Sequence, residues 1–453
     1  MKKLHLSVDK ISETRDYELR MLNRSYNRVN LDSIPFHHRL YDFFKFFLSL
    51  STLVLKKVVL YDDSLVYLLD SNGKLDKLVI GDCFKPRFRD PSTLNSLRSL
   101  SVTNSSWSIL HMFPQCKNII ELKISAPSNK KVNLVNDRKH LAALMTLQEK
   151  LETLIITNCF PMDDNAVIDA KYNLKQLSVR QYGNLSCAQV KSNACLLQIM
   201  NRHKNTLENL EICVNGENFM EFIMKNLKVR RLFIAYDLLP KKFQILERIQ
   251  PNLHLKKLII DREIKNTQAL QGLFRTYPRI ESLIIKDWKP DVINEVLIDA
   301  AGVLKSLTFL RIPRLTIDTP NAPMPSLRTF NVDYLDEIEN FLAFCLNIPS
   351  IEILFIGKLP FKPFTIGNIQ IMSSRLPQLR HIIFGGEFQL KSEMLDILSS
   401  NCSKLRLIEM FHFAHSYDKN NNFQHGKIDV IYLPKNVKYR TFCNETNLWN
   451  ESS

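Results

Sequence analysis

The chain of 453 residues contains only 11 glycines, and none of them lies in a phosphate-binding loop of the GxxxxGK or GxGxxG type. No serine occupies a GxSxG nucleophile elbow. His412 and His415 lie three residues apart, but no cysteine or carboxylate accompanies them at zinc spacing, so we interpret them as a loop or cap pair. The sequence therefore predicts a protein that is not an enzyme, with no catalytic residue, no metal site and no cofactor.

Long apolar runs and paired cysteines are also missing. The nine cysteines show no CxxC spacing, which favours free thiols in a reducing compartment. The start, MKKLHLSVDK, lacks the apolar core of a secretory signal, and the most apolar tract, 43–55, is too short to cross a bilayer. We therefore expect a cytoplasmic or nuclear protein that does not associate with membranes.

What the sequence has in abundance is one short pattern, in which an apolar residue is followed by further apolar residues three and five positions later. The mean spacing of its copies is about 25 residues, within the range typical of leucine-rich repeats. Weaker copies start at Met1 and Tyr26. Clear copies start at Leu55, Leu75, Leu97, Ile119, Leu151, Leu174, Leu207, Val229, Leu255, Ile280, Leu307, Leu327, Ile351, Leu379 and Leu405.

Between these copies the apolar period lengthens from about 2 to about 3.6 residues, as it does on an amphipathic helix. Residues 218–227 and 335–346 each place their apolar side chains on one helical stripe, and 291–300 and 393–398 follow the same pattern. This alternation predicts an α/β fold, a leucine-rich-repeat solenoid shaped as a curved horseshoe, with a parallel β-sheet on the concave face and short helices on the convex face. We expect irregular N-terminal repeats over 1–54, the repeat array over 55–413, and a C-terminal cap and tail over 414–453.

The register of the repeat predicts which side chains face a partner. Positions one, four and six point into the core, so positions three, five and seven point out on the opposite face of the sheet. Position five is frequently apolar and has cations nearby, although β-branched residues are favoured on strands whichever side they face. We expect Phe233→Asp or Ile259→Asp to leave the fold largely intact but to abolish partner binding. The predicted partner-binding residues are Arg231, Phe233, Lys257, Ile259, Ile284, Lys286, Arg311 and Phe355.

The net charge of +15 favours an acidic partner. Residues 171–260 alone carry 15 Lys or Arg against 6 Asp or Glu. A solvated flank of a basic solenoid would have the same composition. No nucleic-acid-binding motif accompanies the charge, so the sequence does not favour a nucleic acid as the partner.

The irregular repeats of about 25 residues and the unpaired cysteines resemble the repeat part of F-box/leucine-rich-repeat proteins of the insect type, with residues 17–31 (YELRMLNRSYNRVNL) entering the array. In that family an F-box module binds a Skp1 adaptor, and the repeats capture a substrate for ubiquitin transfer by a cullin–RING ligase. Residues 1–50 contain no Leu-Pro opening, and the first tryptophan is Trp107, so the F-box itself is not recognisable. Because the first strand pattern begins at Met1, we expect a truncated gene model or a paralogue without the module.

The resemblance implies non-catalytic protein recognition, as the substrate-recognition part of a Skp1–cullin–F-box ubiquitin ligase. A Skp1-like adaptor would be a partner only if an F-box precedes the repeats. The alternative is a free-standing intracellular scaffold or inhibitor with no ligase behind it. In either case the sequence predicts a protein partner, for which the cations favour an acidic one.

Overall fold

The chain folds into two compact units, Met1–Val229 (unit 1) and Arg230–Ser453 (unit 2), which are taken separately below. The computed structural model describes residues 3–7, 28–32, 35–36, 50–57, 59–60, 73–83, 95–105, 109–110, 113, 115–125, 134–157, 171–180, 189–213, 219–235, 251–261, 267–286, 290–315, 323–335, 337–358, 364–385, 391–411 and 428–429.

Short parallel strands dominate the described part of unit 1. All but β3 and β5 form one ladder in which each strand pairs in parallel with the strand of the next repeat, and β3 and β5 pair with each other. The helices are α1 (Leu134–Leu147), α2 (Gln189–Arg202) and α3 (Phe219–Asn226). The strands are β1 (Lys3–Ser7), β2 (Arg28–Asp32), β3 (Pro35–Phe36), β4 (Thr52–Lys56), β5 (Val59–Leu60), β6 (Lys77–Gly81), β7 (Ser99–Thr103), β8 (Glu121–Ser125), β9 (Thr153–Thr157), β10 (Gln176–Arg180) and β11 (Asn209–Cys213).

Unit 2 repeats the same arrangement. Its first eight strands pair in parallel in chain order, and β20 pairs antiparallel with β19. The helices are α4 (Thr267–Thr276), α5 (Pro290–Val303), α6 (Ile338–Cys345), α7 (Ile366–Arg375) and α8 (Ser392–Asn401). The strands are β12 (Arg231–Ala235), β13 (Lys257–Asp261), β14 (Ser282–Lys286), β15 (Phe309–Leu315), β16 (Thr329–Leu335), β17 (Ile353–Lys358), β18 (His381–Gly385), β19 (Leu407–Phe411) and β20 (Ile428–Asp429).

The core of each unit consists of the apolar residues at repeat positions one, four and six. In the repeat of β13 these are Leu255, Leu258 and Ile260, all exposed by 1% or less. Position four of each strand is the register partner of position four in the next, as Leu258 is of Leu283. One parallel strand per repeat, with helices in the return segments, confirms the predicted α/β leucine-rich-repeat solenoid.

The structure corrects the register of one repeat. The strand β4 pairs with β2 so that Leu55 lies beside Leu31, which occupies position six of its repeat. The repeat therefore starts at Leu50 and not at Leu55, and Leu50, Leu53 and Leu55 are all fully buried. The predicted boundary between the irregular repeats (1–54) and the array (55–413) lies within β4, because residues 54 and 55 both belong to this strand.

The helical stripes predicted from the sequence coincide with α3, α5, α6 and α8. The helix α6 is shorter than its stripe because Leu335 belongs to β16. The helix α7 begins with a capping box, in which the Asn368 N–H donates to Thr365 Oγ1 (3.2 Å) and the Thr365 N–H donates to Asn368 Oδ1 (2.9 Å). These bonds satisfy backbone donors that the first turn of a helix leaves unpaired.

Most of the described repeats are hydrogen-bonded to their predecessor at the start of the strand. The Lys256 carbonyl oxygen accepts the N–H groups of Glu281 (2.8 Å) and Ser282 (2.9 Å), which are positions two and three of the next repeat. The same double acceptor recurs in unit 1, where the Glu152 oxygen accepts from Lys175 and Gln176. Further carbonyls of this kind belong to Asp76, Arg98, Ile120, Lys175, Arg230, Glu281, Thr308, Arg328, Glu352 and Arg380.

Position two also carries ion pairs between neighbouring repeats. Lys256 pairs with Glu281, and Lys175 pairs with Glu152 (2.8 Å). Glu352 lies between Arg328 (3.8 Å) and Arg380 (3.4 Å). Exposed pairs of this kind contribute at most about 1 kcal/mol each, but they place opposite charges beside each other along this edge of the strands.

Candidate protein-interaction surface

All eight predicted binding residues lie in unit 2, on β12, β13, β14, β15 and β17. We call the face formed by positions three, five and seven of strands β12–β19 the outer face, because these side chains alternate with those of the core. Its middle row is position five. In register order this row reads Phe233, Ile259, Ile284, Arg311, Asn331, Phe355, Ile383 and Glu409.

The two predicted isoleucines form the floor of the outer face and are not exposed anchors. Ile259 is 5% exposed and Ile284 is 7% exposed, whereas Phe233 and Phe355 are half-buried. Neighbouring strands lie only about 4.8 Å apart, so each β-branched side chain packs against those of the same row. The sequence expectation that Ile259 tolerates a charged replacement is therefore corrected, because such a charge would be buried.

Lys286 reaches across the row to the aromatic ring at its end. Its Nζ lies 5.4 Å from the centroid of the Phe233 ring, a distance at which a cation is attracted to the face of an aromatic ring. Because β13 separates the strands of these two residues, the aliphatic part of Lys286 extends over β13 to make this contact. Phe233 and Lys286 together present an apolar ring surface and a positive charge.

Two more cations lie side by side at position three. Arg231 on β12 is exposed, and its register partner Lys257 on β13 is half-buried. Burial lowers the pKa of the Lys257 ammonium, and the charge of Arg231 lowers it further. Among the residues that the structure describes, neither cation has an ion-pair partner.

Arg311 occupies position five and therefore belongs to the middle row itself. Its Nε lies 3.0 Å from Asp333 Oδ1 and its Nη2 lies 3.1 Å from Asp333 Oδ2, so the guanidinium holds the carboxylate with two nitrogens. Burial raises the pKa of Asp333, and the Arg311 guanidinium opposes that rise. The positive charge of Arg311 is therefore compensated by Asp333 within the protein.

Apolar side chains also lie on the outer face of β15, β17 and β18. Ile353, at position three of β17, is 37% exposed, and it lies two residues before the half-buried Phe355 on the same strand. Phe309 is half-buried at position three of β15, and Ile383 is 7% exposed at position five of β18. Ile353 is not among the residues predicted from the sequence, although the alternation that points to position five applies to position three as well.

Position seven is a glycine in both β17 (Gly357) and β18 (Gly385). A Cβ on Gly357 would overlap the backbone oxygen of Asp333, and a Cβ on Gly385 would overlap the oxygen of Gly357. Only glycine fits these positions without movement of the backbone. The row at position seven therefore carries no side chains beside Phe355 and Ile383.

The far end of the middle row is acidic. Glu409, on β19, is 6% exposed, and its Oε2 lies 3.4 Å from His381 Nε2 on β18. The middle row thus has Phe233 beside unpaired cations at one end, an internally paired Arg311 near its centre, and a carboxylate at the other end. The charge along the middle row therefore changes from positive near β12 to negative at β19.

The described ranges of the chain contain no cluster of three or more His, Cys, Asp or Glu able to hold a metal ion. Burial raises the pKa of the Cys402 thiol to about 11 and raises that of Cys345 as well, so neither is a nucleophile at neutral pH. In the same ranges, every helix is too short or too polar to cross a bilayer. His412 and His415 lie outside the described residues.

No family model matches the chain, and no curated protein matches it. Among solved structures it is similar to an internalin from Listeria monocytogenes, at 14% identity, covering 87% of this chain and 88% of that chain with a TM-score of 0.32. It is also similar to the mouse RP105/MD-1 complex, at 14% identity, covering 80% of this chain and 75% of that chain with a TM-score of 0.38. The repeat geometry described above defines the chain as a leucine-rich-repeat protein.

Proposed function

We propose that the outer face of unit 2 binds a protein partner and that the chain acts by recognition without catalysis. The observation that carries this proposal is the exposed Ile353 beside Phe355, because large apolar side chains on an open strand face are typical of protein interfaces. The cations at the other end of the face supply the polar contacts that such interfaces also need.

The more specific form of this proposal is the substrate-recognition part of a Skp1–cullin–F-box ubiquitin ligase. The irregular repeats of about 25 residues support it by their resemblance to that family. The alternative is a free-standing scaffold or inhibitor. Affinity purification of the full-length protein distinguishes the two. Skp1 and a cullin among the copurified proteins support the ligase role, and a single stoichiometric partner without them supports the alternative.

The role of the outer face is tested by comparing Ile353→Asp with Leu346→Asp. Both replace an exposed hydrophobic residue of unit 2, but Leu346 (62% exposed) directly follows α6 and lies outside the strand ladder. We expect Ile353→Asp to reduce recovery of the stoichiometric partner at least about tenfold, which corresponds to a loss of about 1.4 kcal/mol. Leu346→Asp should leave the recovery unchanged.

Quantitative mass spectrometry of the purified complexes measures the recovery, and circular dichroism verifies that both variants are folded. If both variants retain the partner equally well, the outer face is not the binding surface.

A further inference from the structure

Among the described residues, the cations at position three of β12 and β13 lack the ion pairs that the cations at position two form. At position two, Lys256 pairs with Glu281, Lys175 pairs with Glu152, and Glu352 lies between two arginines. At position three, by contrast, Arg231 and Lys257 are register partners with the same charge, and neither forms an ion pair among the described residues. Like charges directly opposite each other on neighbouring strands destabilise a sheet.

The half-buried position of Lys257 increases the cost of this arrangement. Its ammonium group is partly removed from water and lies beside the Arg231 guanidinium, and both effects lower its pKa. A carboxylate placed between the two side chains would remove the repulsion and replace the lost hydration with charge-assisted hydrogen bonds. The pair is therefore complementary to an anionic group.

The residues around Arg231 and Lys257 favour an anionic ligand that also has apolar side chains. Phe233 is half-buried two residues after Arg231, and Ile259 and Ile284 form an apolar floor beside it. Lys286 adds a positive charge against the Phe233 ring. An apolar side chain of a ligand would thus pack on Phe233 while its acidic neighbour contacted Arg231 and Lys257.

The same face is poorly suited to a nucleic acid. A phosphate backbone needs cations at regular intervals along its path, but Arg311 is compensated by Asp333, and the row ends at Glu409. Asp261 also lies at position seven of β13, beside Lys286 in the register. Among the described residues of this face, Arg231 and Lys257, which have no ion-pair partner, lie on two neighbouring strands, β12 and β13.

From this geometry we infer that the β12–β14 part of the outer face binds an acidic polypeptide segment, whose carboxylates contact Arg231 and Lys257 and whose adjacent apolar side chain packs on Phe233. The inference rests on the proposed function, because it names the chemistry of the partner that the outer face would recognise. It also assigns the charged contacts to one end of that face.

The test is fluorescence anisotropy of the full-length protein with a labelled peptide, Gly-Glu-Glu-Phe-Glu-Glu-Leu-Gly, at low ionic strength. Three comparison probes are a peptide with Gln in place of Glu, a peptide with Ala in place of Phe and Leu, and a single-stranded oligouridylate. We expect the Glu/Phe peptide to bind at least about tenfold more tightly than each comparison probe, and its binding to weaken as salt is added.

The double variant Arg231→Glu/Lys257→Glu should weaken binding of the Glu/Phe peptide at least about tenfold and should improve binding of a peptide with Lys in place of Glu. The matched control, Arg275→Glu/Arg279→Glu, changes the net charge by the same amount at exposed residues within α4 and shortly after it. This control should bind the Glu/Phe peptide as tightly as the parent protein.

Three outcomes overturn the inference: equal binding of the Glu and Gln peptides, tighter binding of the oligouridylate, or equal losses in the two double variants. The proposed function is tested separately by Ile353→Asp. If the cellular partner is lost with Ile353→Asp but retained with Arg231→Glu/Lys257→Glu, the acidic-segment inference fails while the proposed function stands. If neither variant loses the partner, both fail.

Discussion

At the scale of single residues, two buried polar side chains perform the same task in two different repeats. Gln148 Oε1 accepts the N–H of Ile119 (3.3 Å), and His203 Nδ1 accepts the N–H of Leu174 (3.4 Å). Ile119 and Leu174 are each the first residue of the repeat that contains the accepting side chain. A buried backbone donor left without an acceptor is costly, so each side chain stabilises the start of a strand.

The first prediction concerns His203, whose pKa is lowered to about 4 by burial and, to a smaller extent, by Arg202. A histidine in the unfolded chain has a pKa of about 6.5. As the pH falls from about 6.5 to about 4, the unfolded chain binds a proton that the folded chain does not bind. The free energy of unfolding should therefore decrease over this range.

His203→Gln keeps an acceptor of the kind found at Gln148 and removes the titration. We expect it to reduce the loss of thermal stability between pH 7 and pH 5, measured as the change in Tm. The exposed His254 provides the control, since His254→Gln should leave that loss unchanged. An unchanged pH dependence in His203→Gln would contradict the role assigned to His203.

At the scale of elements, the strands could be predicted because their pattern is local, and 16 of the 17 repeat starts taken from the sequence agree with the strand register. The error at Leu55 has a specific cause. Residues 50–60 (LSTLVLKKVVL) contain the pattern twice, starting at Leu50 and at Leu55, and both copies satisfy it. The pairing of β4 with β2 selects Leu50, a choice that depends on residues outside the segment.

The exposure of the candidate site could not be predicted in the same way. Ile259, Ile284 and Phe355 have the same alternation on their own strands, but the first two are covered by neighbours on adjacent strands, which come from other repeats. The pairing of Arg311 with Asp333 likewise joins two repeats. Local periodicity tells which face a side chain is on, whereas contacts between repeats decide whether it is exposed.

The second prediction compares three aspartate substitutions in β12 and β13. Leu258→Asp, at a core position that is fully buried, should cost the most, roughly 4 kcal/mol or more of the free energy of unfolding. Ile259→Asp, at 5% exposure on the outer face, should cost about 1–3 kcal/mol. Phe233→Asp, at a half-buried position, should cost the least.

Chemical denaturation of the three variants measures this order. A larger loss for Phe233→Asp than for Leu258→Asp would show that the faces assigned to these strands are reversed.

At the scale of the whole molecule, stability comes from contacts between neighbouring repeats, as expected of a solenoid. Each of the two compact units has its own continuous series of buried leucines and isoleucines. The chain as a whole carries a net charge of +15, but the unpaired cations that we assign to recognition lie on a few strands of unit 2. The proposed recognition therefore involves one part of the array, and the overall charge does not identify that part.

The third prediction is that a core defect in unit 2 stays local. Leu258→Asp should accelerate amide hydrogen exchange in β12–β14 by about 100-fold or more, while β6–β9 of unit 1 keep their protection. Hydrogen exchange followed by mass spectrometry measures both regions in one experiment. Equal loss of protection in the two regions would show that the chain unfolds as a single cooperative body.

The double-acceptor carbonyl at position two has a consequence for how the array tolerates insertions. Repeat starts are 22 residues apart between Leu75 and Leu97 but 33 apart between Leu174 and Leu207, yet the same two hydrogen bonds begin the strand in both cases. Because the strands of these repeats are fixed at their first residues, extra residues in a return segment do not shift the next strand. Return segments can therefore differ in length while the residues of neighbouring strands stay in register.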